Sequence, residues 1–232
     1  MDKLLEVNNI RKKLNGKEIL KGVEFTLEKG KVLGIMGPNG QGKTTLLNTI
    51  QGFLKADDGE IKIDGSEFDA TTKNDISYLQ DANIFNKSMK IKNAINLYSD
   101  FFSDFDKEKM NYYLDFMNLD SSARIKDLSK GMMEKFNLSL TLSRRVKLYM
   151  LDEPISGVDP VSREKILDAI LENLSEESSM IITTHYIGEL ERIFNEVIFL
   201  SEGKVIEQGD AEELREKYHC SIDEVYRKIF AE

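Results

Sequence analysis

Short apolar runs separated by turns dominate the first 80 residues of the chain. The side chains of Val23, Phe25 and Leu27 alternate with polar residues, and this period of two indicates a half-buried antiparallel strand. Further strand-like runs lie at residues 5–7, 31–36, 61–63 and 76–79. We therefore predict a β-rich region over about residues 1–80.

The periodicity changes to that of helices between about residues 81 and 146. Large apolar side chains recur there at helical spacing, namely Phe101, Phe102, Phe105, Met110, Tyr113, Leu114, Met117 and Leu119. We predict an inserted α-helical subdomain with most of these side chains in its core. For residues 83–94 the alternative is an exposed docking groove for a partner's helix, because aromatic and methionine surfaces adapt well to such partners.

Strand signals return after residue 147. Four runs are apolar on both faces, which is typical of central strands in a parallel sheet covered by helices. They lie at residues 148–151, 180–184, 197–200 and 205–206. A covering helix is predicted over residues 162–174, and helical periodicity continues through residues 210–232. The chain is thus predicted to be a single α/β domain, residues 1–232, whose core comprises about residues 1–80 and 147–232.

Composition narrows the classes of protein to which the chain can belong. Its 232 residues include 32 basic and 41 acidic side chains, so the formal net charge is -9. Nucleic acid is not an expected partner, since proteins that bind it usually carry a basic patch. Cys220 is the single cysteine, which excludes an internal disulfide framework and a cysteine-rich metal site. No run approaches the roughly 18 apolar residues that a membrane-spanning helix requires.

A phosphate-binding loop of the form G-x-x-x-x-G-K-[ST] separates the strand-like run at residues 31–36 from a helical pattern at residues 46–50. Glycines let the backbone approach phosphate, and the amide groups at a helix start offer donors to an anion. Lys43 is expected to reach the β- and γ-phosphates, and Thr44 to coordinate Mg²⁺. The predicted nucleotide-binding residues of the loop are Gly37, Pro38, Asn39, Gly40, Gln41, Gly42, Lys43, Thr44 and Thr45.

Two carboxylates follow the run at residues 148–151. Asp152 and Glu153 stand at the C-terminal end of a predicted central strand, where α/β sheets bind ligands. Asp152 is the predicted Mg²⁺ ligand beside the phosphate loop, in the second coordination sphere, and Glu153 is the predicted general base for the attacking water. Without the loop, the same two acids before Pro154 would be equally typical of a helix start.

Two further polar side chains end predicted strands. His185 follows the run at residues 180–184 and is expected to donate to the γ-phosphate, whereas the alternative role is that of a structural hydrogen-bonding residue. Gln80 follows the run at residues 76–79, and its amide can link Mg²⁺ or the attacking water to movement of the helical insertion. The alternative for Gln80 is a solvated turn residue.

Residues 128–132, Leu-Ser-Lys-Gly-Met, begin a predicted helix that continues toward Val146. Ser129 is a favourable cap, and the helix start together with Lys130 would face an anion. Taken alone, the segment is equally typical of a simple capped helix.

The order and spacing of these segments resemble those of an ABC-transporter ATPase subunit over essentially the whole chain. The matching segments are residues 37–45, Gln80, residues 128–132, 148–154, 156–159 and 183–185. The resemblance implies a P-loop NTPase fold of the ABC ATPase type. That fold has a mixed, RecA-like core sheet, an N-terminal antiparallel β region and an inserted helical subdomain that carries the family's signature.

The resemblance also implies a partner for the nucleotide site. Residues 128–132 are similar to the family's signature Leu-Ser-Gly-Gly-Gln, from which Lys130 and Met132 depart. Ser129 and Gly131 are then expected to contact nucleotide held by a second ATPase subunit, identical or paralogous, and Asp159 to help communication across that dimer. Leu14 stands where the family usually has an aromatic residue against adenine. Aliphatic contact would replace stacking there, so looser base selectivity is expected.

The function implied is that of an ATP hydrolase that binds ATP and Mg²⁺, dimerises on ATP and drives transport through a separate membrane-spanning subunit. Its expected place is the cytoplasmic face of the cell membrane, held there by that partner. Residues 105–160 look most like the bacterial small exporters of peptides, antibiotics or lipids, which favours export over import. The alternatives are an ATP-gated regulatory or immunity module with little turnover, and a soluble ATPase of the same superfamily without a transport role.

Overall fold

A computed structural model of the protein describes residues 2–69, 71–80 and 85–231. Its strands are β1 (Lys3–Leu14), β2 (Lys17–Glu28), β3 (Val32–Met36), β4 (Asp58–Ile63), β5 (Ser66–Glu67), β6 (Ile76–Leu79), β7 (Leu148–Asp152), β8 (Ser179–Thr184), β9 (Glu196–Ser201) and β10 (Lys204–Asp210). Its α-helices are α1 (Lys43–Ile50), α2 (Ile91–Phe101), α3 (Lys107–Phe116), α4 (Lys130–Leu142), α5 (Pro160–Glu172), α6 (Ile187–Leu190), α7 (Ala211–Tyr218) and α8 (Ile222–Phe230). The predicted α/β class is confirmed.

The core sheet has six strands in the order β10-β9-β3-β8-β7-β6. Neighbours from β9 to β6 are parallel, whereas β10 pairs antiparallel with β9 at one edge. Every residue of β3, β7 and β8 is buried, which explains why these strands lack polar alternation. The prediction of a central parallel strand is wrong for residues 205–206. They belong to β10, an edge strand in which exposed and half-buried residues alternate.

A second, antiparallel sheet in the order β2-β1-β4-β5 covers one face of the core sheet. Val23 and Leu27 of β2 are fully buried and Phe25 is nearly so, which confirms the half-buried strand inferred from their alternation. These side chains share one hydrophobic core with Ile35 of β3 and Leu46 of α1. The helix that carries the phosphate loop is therefore fixed between the two sheets.

Helices α2 to α5 form the other hydrophobic core, together with the opposite face of the core sheet. Most of the side chains predicted for the helical core are buried, namely Met110, Tyr113, Leu114, Met117 and Leu119. Phe101 is different, since it lies at the end of α2 with 75% of its surface exposed. The apolar face of the insertion is thus largely buried against other parts of the same chain.

The predicted docking groove at residues 83–94 falls partly outside the described residues, which omit 81–84. Within the described part, Ile91 and Ala94 are fully buried in the helical core, so the prediction of an exposed surface is wrong for them. The exposed apolar side chains of α2 are Leu97 and Phe101, one and two turns further along the helix.

The helical periodicity predicted for residues 210–232 corresponds to two helices, α7 and α8. α7 ends at His219 in a left-handed conformation, and α8 begins after Ser221 with a capping box in which Ser221 and Glu224 bond each other's backbone. The buried Ile222 and Val225 of α8 belong to the same core as Ile187 of α6. The tail therefore packs against the helix that follows His185.

Candidate nucleotide site

The C-terminal ends of three neighbouring parallel strands bring the predicted site residues together. β3 leads into the phosphate loop, β7 ends at Asp152 and β8 ends one residue before His185. A cavity of about 500 Å³ opens at this edge of the sheet, as expected for ligand sites of α/β proteins. It is lined by residues 42–45 and by Asn39, Gly40, Gln80, Asp152, Glu153 and His185.

Glycine is required at two positions of the phosphate loop for different reasons. A Cβ atom at residue 37 would lie 2.3 Å from the Leu200 carbonyl oxygen, so Gly37 lets the loop pass directly over β9. Gly42, the residue before α1, has a φ of 108°, which side chains rarely tolerate. No side chain caps α1, and its first turn contains no acidic residue. The amide groups at its start therefore remain available to an anion.

Gln41 anchors the loop rather than lining the cavity. Its side-chain oxygen accepts a hydrogen bond from the Glu202 amide, and its carbonyl oxygen accepts one from the Gly203 amide at 3.2 Å. Both donors lie in the turn between β9 and β10. The loop is thereby tied at its middle to the edge of the core sheet.

Lys43 is the buried cation of the site, with 6% of its surface exposed. Its Nζ donates to the carbonyl oxygens of Gly37 at 2.7 Å and Pro38 at 3.3 Å. The same Nζ lies 3.6 Å from Glu153 Oε1. Lys43 therefore bridges the phosphate loop and the carboxylate predicted to act as general base.

Asp152 is buried and held by a hydroxyl group. Thr183 Oγ1 of β8 donates to Asp152 Oδ1 at 2.5 Å, and Tyr78 of β6 lines the same cavity as Asp152. Burial, followed by the charge of Asp152, raises the pKa of Tyr78 well above its ordinary value, so the phenol stays protonated. Sequence reasoning missed both side chains. Thr183 stands opposite Asp152 and Tyr78 stands opposite Met150, because β6, β7 and β8 are adjacent strands.

Glu153 adopts a φ of 52°, an uncommon conformation for a residue with a side chain. Its amide donates to the Thr183 carbonyl oxygen at 3.1 Å, which keeps the backbone against β8. Glu153 Oε2 lies 2.7 Å from His185 Nδ1 and accepts from the His185 amide at 3.2 Å. Glu153 Oε1 is buried and has no hydrogen-bond partner among the described residues, and it lies 3.6 Å from Lys43 Nζ. It is an acceptor that a water molecule could use.

The same cavity contains oxygen atoms suited to Mg²⁺. Thr44 is exposed at the start of α1, Gln80 follows β6, and Asp152 supplies a buried carboxylate. Mg²⁺ favours such ligands and commonly combines one carboxylate with phosphate oxygens and water. Within the described residues, no group of three or more histidine, cysteine or acidic side chains could hold a metal ion unaided. These residues therefore fit an ion that arrives with nucleotide.

The signature-like segment lies outside this cavity. Ser129 Oγ accepts from the Met132 amide at 3.2 Å and so caps α4, while Ser129 and Lys130 are exposed. Ser129 and Lys130 line a separate cavity of about 180 Å³, which shares Gln80, Asp152 and Glu153 with the first. A Cβ at Gly131 would meet no atom within 4 Å.

Asp159 caps α5 in the manner that Ser129 caps α4. Its Oδ1 accepts from the Ser162 amide at 3.0 Å, and hydrogen bonds from Ser162 hold the pKa of Asp159 below its ordinary value. The helix starts at Pro160, two residues before its predicted start. Asp159 is exposed and does not line the phosphate-loop cavity. Leu14, half-buried at the end of β1, does not line it either.

The structure thus brings together one part of the predicted site and leaves the rest apart. Lys43, Thr44, Gln80, Asp152, Glu153 and His185 share one cavity. Ser129, Gly131 and Asp159 stand at the starts of α4 and α5, outside it. Within one chain, they do not complete the phosphate-binding cavity.

Comparisons with known proteins identify the family of the chain. The ABC transporter family matches residues 20–156 of the chain. The ABC transporter ATP-binding protein YtrB of Bacillus subtilis is 31% identical over 218 residues, which cover 93% of this chain and 75% of YtrB. Petrobactin import ATP-binding protein YclP of the same organism is 29% identical, with 96% and 92% covered. Nod factor export ATP-binding protein I of a Rhizobium species is 26% identical, with 96% and 76% covered.

Solved structures give the same result for the fold. The ATP-binding subunit of an ABC transporter superposes with a TM-score of 0.88 at 23% identity and covers 97% of this chain and 98% of its own. An ATP-binding cassette of an ABC transporter in its ADP conformation has a TM-score of 0.77 at 25% identity, with 92% and 93% covered. Among the described residues, no helix combines the length and apolar character needed to cross a membrane. The chain belongs to the ABC transporter family, as an ATP-binding subunit that hydrolyses ATP.

Proposed function

We propose that two such subunits close on ATP and Mg²⁺ and drive export of a peptide, antibiotic or lipid-like cargo through a separate membrane-spanning subunit. The observation that carries the proposal is the division of the site. The phosphate loop and its carboxylates share one cavity, whereas Ser129 and Gly131 are held on a solvent-facing helix start of the same chain. A second subunit, identical or paralogous, would supply these two residues to the nucleotide.

The residues of one chain have distinct roles in this proposal. On nucleotide binding, Lys43 would exchange its hydrogen bonds to the Gly37 and Pro38 carbonyl oxygens for bonds to phosphate. The free amide groups at the start of α1 would add further donors. Glu153 Oε1 accepts from the attacking water, while His185 is fixed on Oε2 through Nδ1 and keeps Nε2 for the γ-phosphate. Mg²⁺, held by Thr44, Gln80 and Asp152, would neutralise charge on the phosphates.

Closure requires contacts that depend on the γ-phosphate. A ligand shifts an equilibrium between open and closed forms only by its differential affinity for them. Ser129, Gly131 and Asp159 would gain contacts when ATP is present and lose them after hydrolysis. ADP is therefore not expected to hold two subunits together.

The membrane partner is proposed to dock beside Gln80 and the helical insertion of about residues 81–146, which would move as one subdomain. Phe101 and Leu97 expose apolar surface on α2, and Phe53 is 59% exposed with its ring 6.2 Å from that of Tyr78. Through this partner the chain would lie at the cytoplasmic face of the membrane. The named relatives include an importer and an exporter, and the resemblance of residues 105–160 to small exporters favours export.

The Glu153→Gln variant tests the closure. Loss of the carboxylate removes the proposed base while keeping the shape of the side chain, so we expect slow hydrolysis and an ATP-trapped dimer in gel filtration with Mg²⁺. Glu216→Gln is a matched control, because Glu216 is exposed on α7 and away from the cavity. A Glu153→Gln chain that turns over normally, or stays monomeric with Mg-ATP, would contradict the proposal.

The transport role requires a second measurement. The chain should be co-expressed with a candidate membrane-spanning partner, and ATPase activity compared with and without that partner. Activity stimulated by the partner, with cargo accumulating in inside-out vesicles, is expected for an exporter. Activity that stays very low in both states would instead favour the regulatory module.

A further inference from the structure

We propose that Arg163 is a positioning residue for ATP hydrolysis, which ties the loop at residues 156–159 to the segment that carries His185. Because of these contacts, a displacement of the loop would change the positions of His185 and Glu153 in the same chain. The inference rests on the proposed function, in which those two side chains act at the γ-phosphate. It adds a residue that does not line the phosphate-loop cavity.

Arg163 lies in the second turn of α5 and reaches back across its own helix start. Its Nε donates to the Val158 carbonyl oxygen at 2.9 Å, and its backbone amide donates to the Asp159 carbonyl oxygen at 3.0 Å. The side chain is only 19% exposed. The bond to Asp159 is an ordinary helical backbone bond, so what the arginine side chain itself adds is its hold on the Val158 carbonyl.

The other end of the guanidinium contacts the segment after β8. Nη1 donates to Glu189 Oε1 at 2.5 Å, and the guanidinium carbon lies 4.5 Å from the centre of the Tyr186 ring. A cation over an aromatic face at this distance is attractive. Arg163 is thus bonded to the 156–159 loop on one side and to residues 186–189 on the other.

Tyr186 contacts both Arg163 and His185, and so connects the arginine with the proposed catalytic side chains. Its ring centre lies 4.1 Å from that of His185, and the Tyr186 amide donates to Thr184 Oγ1 at 2.9 Å. His185 in turn holds Glu153 Oε2 at 2.7 Å through Nδ1. An unbroken chain of contacts therefore runs from the Val158 carbonyl to the Glu153 carboxylate.

Arginine is the side chain that this position requires. It must donate in two directions and stack on a ring at once, which a planar guanidinium does and a lysine ammonium does not. We therefore expect Arg163→Lys to restore little of the function that Arg163→Gln removes. The proposed coupling is a physical link between two loops, so it must be shown by measured coupling rather than by proximity.

The first experiment compares Arg163→Gln with Arg145→Gln. Arg145 is a control because it also pairs with a carboxylate, Asp106 at the start of α3, and neither residue lines the phosphate-loop cavity. For Arg163→Gln we expect kcat to fall about tenfold, with the Kd for ATP within about twofold of wild type, because the site keeps its phosphate contacts and loses orientation. Unchanged kcat, or a proportionate loss of ATP binding and thermal stability, would overturn the proposal.

A second pair of variants separates the ring from the hydroxyl of Tyr186. Tyr186→Phe keeps the stacked ring and should retain nearly full kcat, whereas Tyr186→Leu should resemble Arg163→Gln. Equal activity of the two variants would show that the contact between ring and guanidinium does not position His185.

The decisive test measures coupling in the free chain, without nucleotide or dimer. Gly157→Ala perturbs the loop, because Gly157 has a φ of 77°, a backbone conformation that alanine rarely adopts. Hydrogen exchange of residues 184–190, measured by mass spectrometry, should rise in Gly157→Ala but show no further rise when Arg163→Gln is already present. Additive effects of the two substitutions would refute the link.

This design keeps the two hypotheses apart. If wild-type chain fails to dimerise on Mg-ATP, the proposed function is wrong while the exchange data still report the link. If wild-type chain dimerises and hydrolyses normally but the exchange effects are additive, only the role of Arg163 is lost.

Discussion

Helices α1 and α4 each begin at a segment expected to meet nucleotide phosphate, and the chain holds the two starts in different ways. At α1, Lys43 is 6% exposed and Gly37 passes so close to β9 that a Cβ would lie 2.3 Å from a carbonyl oxygen. At α4, Lys130 is 69% exposed and Gly131 has open space around it.

The start of α1 therefore belongs to the phosphate-loop cavity of the chain, whereas the start of α4 does not. The start of α1 has no side-chain cap and lines the phosphate-loop cavity, so its amide groups are available to an anion there. The start of α4 is already capped by Ser129 and faces solvent. Substitutions at α1 should therefore damage nucleotide binding or folding, whereas substitutions at α4 should spare nucleotide binding, change stability by no more than a helix cap does, and chiefly affect association.

The largest effect is expected for Lys43→Ala. It removes the buried cation that reaches phosphate, and charge-assisted hydrogen bonds are the strong ones, so ATP binding should weaken by at least about 100-fold. Isothermal titration calorimetry on chain checked by circular dichroism measures this. Lys92→Ala, which removes an exposed lysine of α2, is the control and should leave the Kd for ATP unchanged. Wild-type affinity in Lys43→Ala would show that the loop does not hold nucleotide.

The next effect is expected for Gly37→Ala. The added methyl group must displace either the loop or the backbone at Leu200, and such overpacking costs about 1–3 kcal/mol of unfolding free energy. Gly188→Ala is the matched control, because a Cβ there meets no atom within 4 Å. Urea unfolding of the two variants should show a loss for Gly37→Ala alone. Equal stability would mean that the loop does not need its close approach to β9.

The site residues that share the phosphate-loop cavity are also the ones that local sequence patterns predict. The phosphate loop, Asp152, Glu153 and His185 each follow a buried apolar run directly, and a polar residue at such a strand end is a local signal. Tyr78 and Thr183 lie within strands β6 and β8, so no comparable local signal marks them in the sequence. Their role depends on which strands are neighbours, and Thr183 donates to a carboxylate 31 residues away.

Other parts of the fold were missed for identifiable reasons. The periodicity of residues 210–232 predicts helix but does not give the break between α7 and α8, which the capping-box spacing of Ser221 and Glu224 marks. Residues 205–206 were read as central because two adjacent apolar residues do not reveal an edge strand. Arg163 carried no signal at all, since its partner Glu189 is 26 residues away and its other partners are a carbonyl oxygen and a ring.

A smaller effect is expected for Ser129→Ala. Loss of the bond from the Met132 amide to Ser129 Oγ should cost about 1 kcal/mol of unfolding free energy, the usual value of a helix cap. Ser221→Ala removes the cap of α8 and should cost about as much, so it serves as the control. In a Glu153→Gln background, only Ser129→Ala should weaken the ATP-trapped dimer. If both cap variants dimerise alike, Ser129 has only its structural role.

The smallest effect on stability, and the sharpest contrast with Gly37, is expected for Gly131→Ala. Alanine restricts the unfolded chain and meets nothing at this helical position, so the unfolding free energy should rise by about 0.5 kcal/mol. For a chain of this size that corresponds to a gain in Tm of about 1–2 °C, measurable by calorimetry. The same methyl group would stand at the face proposed to meet the partner's nucleotide, so ATP-dependent dimerisation should weaken although the subunit is more stable. A variant that melts lower than wild type would place Gly131 in a packed environment, and one that dimerises normally would leave the start of α4 outside the interface.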